Sequence, residues 1–212
     1  MQFDMRELPL ATRYKILSSS ITPRPIAWVT TLSAAGVINV APYSFFNCVG
    51  AEPPLVVLGL LHDFATGAMK DTATNIHETG DFVVNLVREE DAAAMNQSSA
   101  AVPRGLSEVD YAGLETVPSV RVAPPRIATS PVSFECRPVE IFDIGRQTVV
   151  LGEVLVAHVA DAFIADSERL YFDIPAMHLV GRVHGAGNYV RCTDGFVLDR
   201  PAYDPARLEN DG

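Results

Sequence analysis

The stretch Ile26–Ala41 reads IAWVTTLSAAGVINVA and predicts a β-hairpin. Its first part, Ile26–Leu32, mixes β-branched, aromatic and apolar residues, which favour strands. Ser33–Gly36 then supplies the small residues of a turn, and a second apolar run begins at Val37. We therefore expect two neighbouring antiparallel strands here.

More short apolar runs follow, separated by prolines and glycines. Two of them, LVVLGLL from Leu55 and FVVNLV from Phe82, are typical of strands buried on both faces. The others are Val132–Arg137, Val139–Ile144 and Thr148–Val159. Many strands at short intervals predict a mainly β fold, a closed or nearly closed antiparallel barrel.

Few and short helices are expected beside the barrel. One should begin near Asp71 or Thr72, whose side chains can cap it, and end before Gly80. A second is predicted over Glu90–Gln97, which contains strong helix formers. The connection Ser98–Pro131 holds five prolines and should pack over the barrel.

The chain length predicts one domain over residues 1–212. Within it we expect an N-terminal lead-in at 1–20 and a loosely ordered tail at 200–212.

Composition excludes several classes of partner. The chain has 212 residues, 16 basic and 26 acidic, so its net charge of −10 disfavours nucleic acid and anionic membranes. Its longest apolar run, Pro53–Leu61, is too short to span a bilayer. The odd number of cysteines, three, and the absence of zinc-ligand spacing predict no metal site and a reduced, cytoplasmic compartment.

Three stretches contain residues that packing alone does not explain. The first is TPRPIAWVTT (Thr22–Thr31), where Pro23 and Pro25 stiffen the backbone on both sides of Arg24. Arg24 is thereby presented from a rigid lead-in. The alternative is an arginine exposed in a loop.

The second stretch is NVAPYSFFN (Asn39–Asn47), in which an asparagine and a proline interrupt an apolar run beside Ser44, Phe45 and Phe46. A ligand held by aromatic surface and a few amide and hydroxyl groups would explain this mixture. A bend in a barrel strand, with a phenylalanine in the core, is the alternative.

The third stretch is AMKDTATNI (Ala68–Ile76), which places Lys70 just before a helix start. A cation is disfavoured there by the helix dipole, and a bound anion would remove the conflict. Lys70, the Thr72 hydroxyl and free backbone N–H groups could together bind a phosphate. An exposed Lys70 beside a capping Asp71 is the alternative.

Together the three stretches predict a ligand with a planar part, polar edges and a terminal phosphate. The sequence has no GxGxxG or GxxxxGK[ST] loop, which disfavours Rossmann and P-loop nucleotide binding. It has no GxSxG elbow either, which disfavours an α/β-hydrolase.

At these motifs the chain resembles the flavin reductase-like family, the FMN-binding split-barrel proteins that include NAD(P)H:flavin oxidoreductases and flavoredoxins. The resemblance rests on segments that occur in the family's order and cover almost the whole chain. They are TPRPIAWVTT, G-x-x-N-x-APYSFFN from Gly36, the Pro53–Pro54 pair, Lys70–Val87, Pro125–Cys136 and Gly181–Arg191.

The resemblance implies a Greek-key split barrel that works as a homodimer, with FMN, or FAD, near the subunit interface and NADH or NADPH as co-substrate. It also implies which residues bind the cofactor. Bordering the isoalloxazine, largely through backbone groups, would be Trp28, Val29, Thr30 and Thr31, with Asn39 and Ala41 near the flavin. Contacting the ribityl and phosphate region would be Ser44, Phe45 and Phe46, and holding the phosphate end Lys70, Asp71 and Thr72, with Arg24 a further phosphate or edge contact.

Near the C-terminus, Arg182, His184, Tyr189 and Arg191 match a segment that in such proteins approaches the flavin or the nicotinamide. Because this chain has VHGAGN where the family usually has a shorter glycine-rich stretch, a surface-loop position is an alternative for His184. No dedicated acid or base is expected, since the cofactor carries the chemistry. Backbone N–H groups and the Thr30 or Thr31 hydroxyl would stabilise negative charge on the reduced flavin.

Three functions are consistent with these observations. The first is an NAD(P)H-dependent flavin reductase that passes hydride to flavin and supplies a partner such as a monooxygenase. The second is an electron carrier with tightly held FMN, reduced by another protein. The third is a split barrel that binds another phosphorylated or aromatic ligand without redox chemistry.

Overall fold

The computed structural model describes residues 1–185 and 187–204. The helices are α1 (Leu10–Ser20), α2 (Asp71–Thr79), α3 (Ala92–Gln97) and α4 (Glu108–Ala112), with single 3₁₀ turns at Glu89–Asp91, Asp161–Phe163 and Pro175–Met177. The strands are β1 (Arg24–Pro25), β2 (Ala27–Leu32), β3 (Ile38–Tyr43), β4 (Phe46–Ala51), β5 (Pro54–Leu61), β6 (Phe82–Asn85), β7 (Thr116–Val117), β8 (Arg126–Ile127), β9 (Val132–Asp143), β10 (Gln147–Val159), β11 (Ile164–Asp166), β12 (Tyr171–Phe172), β13 (Val180–Arg182) and β14 (Tyr189–Arg191).

Seven strands form one antiparallel sheet in the order β3-β2-β6-β9-β10-β5-β4. The expected hairpin is confirmed, since β2 pairs with β3 from Ala27–Tyr43 to Leu32–Ile38. The two edge strands, β3 and β4, are joined by Ser44 and Phe45 alone, so the two edges of the sheet come together at this connection and the sheet curls into a barrel. The mainly β prediction is therefore confirmed.

The barrel interior is filled by side chains of β2, β5, β6, β9 and β10 together with two residues of α2. A second cluster lies on the outer face of β2 and β3, beneath α3 and α4. Strand β2 contributes Ala27 and Val29 to the first cluster and Trp28 to the second. It is therefore buried on both faces, as is β6.

Two strand predictions need correction. The runs Val132–Arg137 and Val139–Ile144 form one strand, because Pro138 sits opposite Gly152 at an irregular point of the β9–β10 ladder. Gly152 is needed here, since a Cβ at that position would collide with the ring of Phe82. Strand β5 is buried on alternate residues only, and not on both faces as expected.

The helices differ from expectation in three ways. Helix α2 ends before Gly80 as predicted, but Lys70 is its N-cap and no side chain caps it. The predicted helix Glu90–Gln97 is a 3₁₀ turn followed by α3. Helix α1 occupies much of the expected lead-in, and no sequence signal indicated it.

The connection 98–131 packs over the barrel and includes α4, β7 and β8. Residues 200–204 have no regular secondary structure, and the rest of the expected tail, 205–212, lies outside the described residues. The described ranges contain no helix long and apolar enough to cross a membrane, and no group of side chains that could hold a metal ion.

Candidate functional site

Three adjoining cavities meet at the carboxyl end of β3, where Pro42 and Tyr43 line all of them. We call the three cavities together the groove. The largest, about 350 Å³, lies against α2, and the others have volumes of about 220 and 150 Å³. Strand β3 can line a groove because it is an edge strand, with β2 as its one partner in the sheet among the residues that the structure describes.

The largest cavity, which we call the lysine end, opens onto the N-terminus of α2. Lys70 lies there beside the first backbone N–H groups of the helix, which have no partner inside the helix. The Lys70 side chain is exposed and has no carboxylate within ion-pair distance among the described residues. This end therefore offers positive charge and hydrogen-bond donors.

A buried amide and a hydroxyl group, those of Asn39 and Thr72, form the floor of the lysine end, and the Thr31 hydroxyl lies behind them. Asn39 donates from Nδ2 to the Thr72 hydroxyl at 2.9 Å and to the Thr31 hydroxyl at 3.3 Å. Asn75 donates to the same Thr31 oxygen at 3.0 Å. Because Thr72 is almost completely buried, its hydroxyl supports the floor and its contribution to ligand binding comes mainly from its place in the first turn of α2.

Acidic groups also face the lysine end. Burial raises the pKa of the Glu108 carboxyl, while a hydrogen bond from the Val40 backbone N–H opposes that rise. Asp71 lies 3.7 Å from the Arg104 guanidinium. Hydrogen bonds from Thr66 lower the pKa of Asp63. Lys70 is therefore a cation in an otherwise acidic surrounding.

Tyr43 occupies the centre of the groove. Burial raises the pKa of its phenol to about 12, even though a hydrogen bond with Thr72 acts in the opposite direction. The phenol is therefore neutral at physiological pH. It can donate one hydrogen bond to a ligand that lies along the groove.

Aromatic side chains line one wall of the groove. The Tyr14 ring of α1 lies 6.0 Å from the Phe45 ring, and a Cβ at Gly59 would press against Phe45. Tyr14 and Phe45 share the smallest cavity with Ser44 and Lys70. A flat apolar surface thus continues into the lysine end.

At the opposite end, which we call the arginine end, Arg182 and Tyr189 line the cavity together with Ser44. The Arg182 guanidinium stacks 4.7 Å over the Tyr189 ring and donates to the Gly185 carbonyl at 3.0 Å. The groove therefore joins a cationic end, an aromatic wall and a second cation.

Comparison with known proteins identifies the family. The flavin reductase like domain matches residues 18–184. The chain belongs to the flavin reductase-like family. The match covers most of the chain, so the resemblance drawn from the motifs is confirmed.

Relatives in this family extend over nearly the whole length. A protein of uncharacterized function from Deinococcus radiodurans is 42% identical over 95% of this chain and 90% of its own length. Nitrilotriacetate monooxygenase component B from Bacillus cereus has a TM-score of 0.87 at 30% identity, covering 93% of this chain and 98% of that one. The 2-nitrobenzoate 2-nitroreductase of Pseudomonas fluorescens has a TM-score of 0.86 at 35% identity, covering 97% and 98%.

The structure brings together most of the site residues that the family resemblance implies. The residues that line the groove are Asn39, Ala41, Ser44, Phe45, Lys70, Asp71, Thr72, Arg182 and Tyr189. Their roles toward a flavin stay predictions.

Four residues expected at the isoalloxazine do not line the groove. Trp28, Val29, Thr30 and Thr31 are each 0% exposed, because β2 is paired on both edges and covered on both faces. The Thr30 hydroxyl donates to the Pro125 carbonyl, and the Thr31 hydroxyl accepts from Asn39 and Asn75. Their side chains therefore belong to the scaffold behind the groove, while the contacts of their backbone groups with a flavin stay predictions.

Arg24 is also an internal residue and not an exposed phosphate contact. Its guanidinium donates to the carbonyls of Ser18 and Ile21 at the end of α1, and to the carbonyl of Val183 at 3.2 Å. Its Nε donates to the Ser44 hydroxyl at 3.2 Å. Arg24 therefore holds α1 and Ser44 in place.

The remaining predicted residues lie elsewhere. Phe46 packs against the barrel core, which matches the alternative given for the second motif. Arg191 pairs with Glu89 on the surface, and His184 is exposed in the loop after β13. These positions leave Phe46, Arg191 and His184 outside the groove as the structure describes it.

Sequence reasoning missed Tyr14, Tyr43, Ser99 and Glu108 as lining residues. Tyr43 lies inside the APYSFFN motif, whose other residues were predicted to bind the cofactor, so its position in this motif could have indicated it. The others come from α1 and from the connection 98–131, whose positions depend on tertiary packing.

Proposed function

We propose that this protein is an oxidoreductase that takes electrons from NADH or NADPH and reduces FMN, or FAD, for a partner monooxygenase. The observation that carries the proposal is the groove, in which Lys70 and the start of α2 lie at one end and the Tyr14–Phe45 wall runs along it. Family membership supports the flavin. The likeness to nitrilotriacetate monooxygenase component B, at 30% identity, supports the partner class.

The donor set of the groove fits a flavin mononucleotide. Lys70 and the free N–H groups of α2 match a phosphate dianion. The Ser44 hydroxyl and the neutral Tyr43 phenol match the hydroxyl groups of a ribityl chain. The aromatic wall matches a flat ring system.

When bound, the flavin would accept a hydride from the nicotinamide. The chain's own residues would bind and orient the two molecules. Lys70 would fix the phosphate, and Tyr43 would donate a hydrogen bond without gaining charge. Tyr14 and Phe45 would keep water from one face, while Arg182 at the opposite end would attract the negatively charged nicotinamide nucleotide.

We further propose that the active form is a homodimer. Large apolar side chains are exposed on α1, directly after it and on β4, among them Leu17, Ile21 and Val49. Such exposure is typical of surfaces that associate. Sedimentation velocity at two protein concentrations tests this directly.

The test of the activity is nicotinamide oxidation by purified protein with FMN, FAD or riboflavin supplied in turn. Turnover that requires free flavin supports the reductase. Flavin that binds but is never reduced by either nicotinamide contradicts it, and would favour an electron carrier. A sample that binds no flavin under any condition contradicts every redox function.

A second candidate is direct reduction of a nitroaromatic acid. It is favoured by the 35% identity and nearly complete coverage of the 2-nitrobenzoate 2-nitroreductase structure. The same assay with 2-nitrobenzoate as acceptor distinguishes the two functions. Nitrobenzoate-dependent nicotinamide oxidation that needs only catalytic amounts of flavin would select the nitroreductase.

A further inference from the structure

Three consecutive apolar side chains near the end of the described chain face water. Phe196, Val197 and Leu198 are 85%, 87% and 82% exposed, and they belong to no helix or strand. Isolated exposed apolar residues are ordinary, but a contiguous group of this size marks a contact surface. We call residues 194–200 the arm.

A cavity of about 430 Å³ elsewhere on the molecule has an apolar surface of its own. It lies between α1 and the ends of β5 and β10. Leu10, Phe64 and Ile144 line it and are 38%, 49% and 57% exposed. Its remaining lining residues include Tyr14, Leu61 and Gln147. We call it the α1 cavity.

The charges of the arm and the α1 cavity are opposite. Arg13 and Arg146 line the cavity. The Arg146 guanidinium donates to the Asp63 carbonyl, and the Arg13 side chain is exposed. The arm carries Asp194, Asp199 and Arg200, which leave it one net negative charge.

We propose that the arm of one copy of this chain binds in the α1 cavity of a second copy. Both surfaces are exposed within a single chain, so the chain does not cover its own cavity with its own arm. In a pair related by twofold symmetry, each copy would supply one arm and one cavity. The proposal rests on the homodimer proposed above.

Binding of the arm would also act on the groove. Tyr14 lines both the α1 cavity and the groove, with its ring 5.8 Å from Phe64 on one side and 6.0 Å from Phe45 on the other. An arm seated beside Phe64 would hold the Tyr14 ring against Phe45. The second copy would therefore complete the wall of the groove.

Disulfide trapping between two different variants tests the proposal. The exposed Cys48 and Cys192 are first replaced by serine, and the buried Cys136 is kept. One tagged variant then carries Leu198→Cys and an untagged variant carries Ile144→Cys. After mixing, subunit exchange and mild oxidation, we expect a disulfide-linked heterodimer on a non-reducing gel.

A matched control places the cysteine at Val120, which is 70% exposed and does not line the cavity. A heterodimer that forms equally well with Val120→Cys overturns the proposal. So does the absence of any cross-link. If Leu198→Cys and Ile144→Cys in one chain give only an internal disulfide, the arm occupies its own cavity and the second-copy proposal is wrong.

Sedimentation separates failure of the arm from failure of the dimer. The double variant Phe196→Asp/Val197→Asp should raise the dimer dissociation constant about tenfold or more. In each of the two arms it replaces two apolar side chains of the proposed contact by carboxylates. A dimer of unchanged affinity overturns the arm and leaves the proposed dimer standing. A monomeric wild-type protein overturns both. The proposed flavin reductase activity is tested separately, by the nicotinamide oxidation assay.

Discussion

Strands β2 and β3 are paired residue by residue, yet they have different tasks. β2 carries the end of the TPRPIAWVTT motif, is paired with β6 on its other edge and is covered by core clusters on both faces. β3 carries the start of the APYSFFN motif and lies at the edge of the sheet, where its carboxyl end lines the groove. Of the two family motifs, the one that ends in β2 thus supplies scaffold, and the one that begins in β3 supplies a wall of the groove.

The clearest test of this difference between β2 and β3 is at Trp28. Trp28→Ala should lower the free energy of unfolding by about 3–5 kcal/mol, because it empties a buried volume and leaves the Ser98 hydroxyl without the indole N–H. Urea denaturation measures the loss. Tyr14→Ala, at the half-exposed groove wall, is the control and should lose much less. A stable Trp28→Ala protein with weakened flavin binding would show that β2 lines the site after all.

Lys70→Ala should have the opposite effect to Trp28→Ala: it should weaken FMN binding and leave the stability unchanged. We expect FMN binding weaker by about 1.5–3 kcal/mol, the range for a charged hydrogen bond, with an unfolding free energy unchanged within about 0.5 kcal/mol. Fluorescence titration with FMN measures the first quantity. Lys15→Ala removes the only other lysine and should leave FMN affinity unchanged.

Tyr43→Phe tests the centre of the groove. Loss of the hydroxyl should weaken FMN binding by about 0.5–1.5 kcal/mol, the range for a neutral hydrogen bond. The raised pKa adds a pH signature, because the folded protein holds the phenol proton more tightly than the unfolded chain. Stability should therefore fall as pH rises from about 10 to about 12, and Tyr43→Phe should remove this part of the decline. An identical alkaline decline in both proteins would contradict the burial argument.

Glu108→Gln tests the acidic side of the lysine end. Burial raises the pKa of Glu108, so the folded state binds its proton more tightly than the unfolded state does. Stability should decrease as pH rises from the ordinary pKa of a glutamate toward the raised value. The variant keeps an acceptor for the Val40 N–H and should lack this decrease. Thermal denaturation of both proteins across mildly acidic pH checks the sign, and a stability difference, wild type minus Glu108→Gln, that grows as pH rises would refute it.

Arg191→Ala should have the smallest effect. The side chain pairs with Glu89 on the surface and lies outside the groove, so FMN affinity should not change. Arg182→Ala is the matched comparison within the same segment, since Arg182 lines the arginine end. A loss of FMN affinity in the Arg191 variant equal to that of Lys70→Ala would return Arg191 to the site.

Much of the fold was accessible from local sequence. The hairpin, the apolar strands and the end of α2 follow from strand propensity, turn residues and Gly80. The single strand β9 was not accessible, because Pro138 reads as a break until Gly152 is known to face it. Helix α1 escaped notice because its sequence has little amphipathic pattern and its end is fixed by Arg24.

The site was predictable where a charged residue is at odds with the local structure around it. Lys70 before α2 is a conflict visible in the sequence, and the structure places it in the groove. The burial of Thr30 and Thr31 was not visible, because it depends on which edge of β2 is paired and on what covers its faces. Side chains from distant segments, such as Tyr14 and Glu108, enter the groove only through tertiary packing.

The most direct test of the account compares FMN with riboflavin, which differ by the phosphate alone. Wild-type protein should bind FMN more tightly than riboflavin, and Lys70→Ala should lose most of that preference while its affinity for riboflavin stays the same. That result would place the phosphate at the lysine end of the groove. An undiminished preference for FMN in Lys70→Ala would contradict the assignment of the groove.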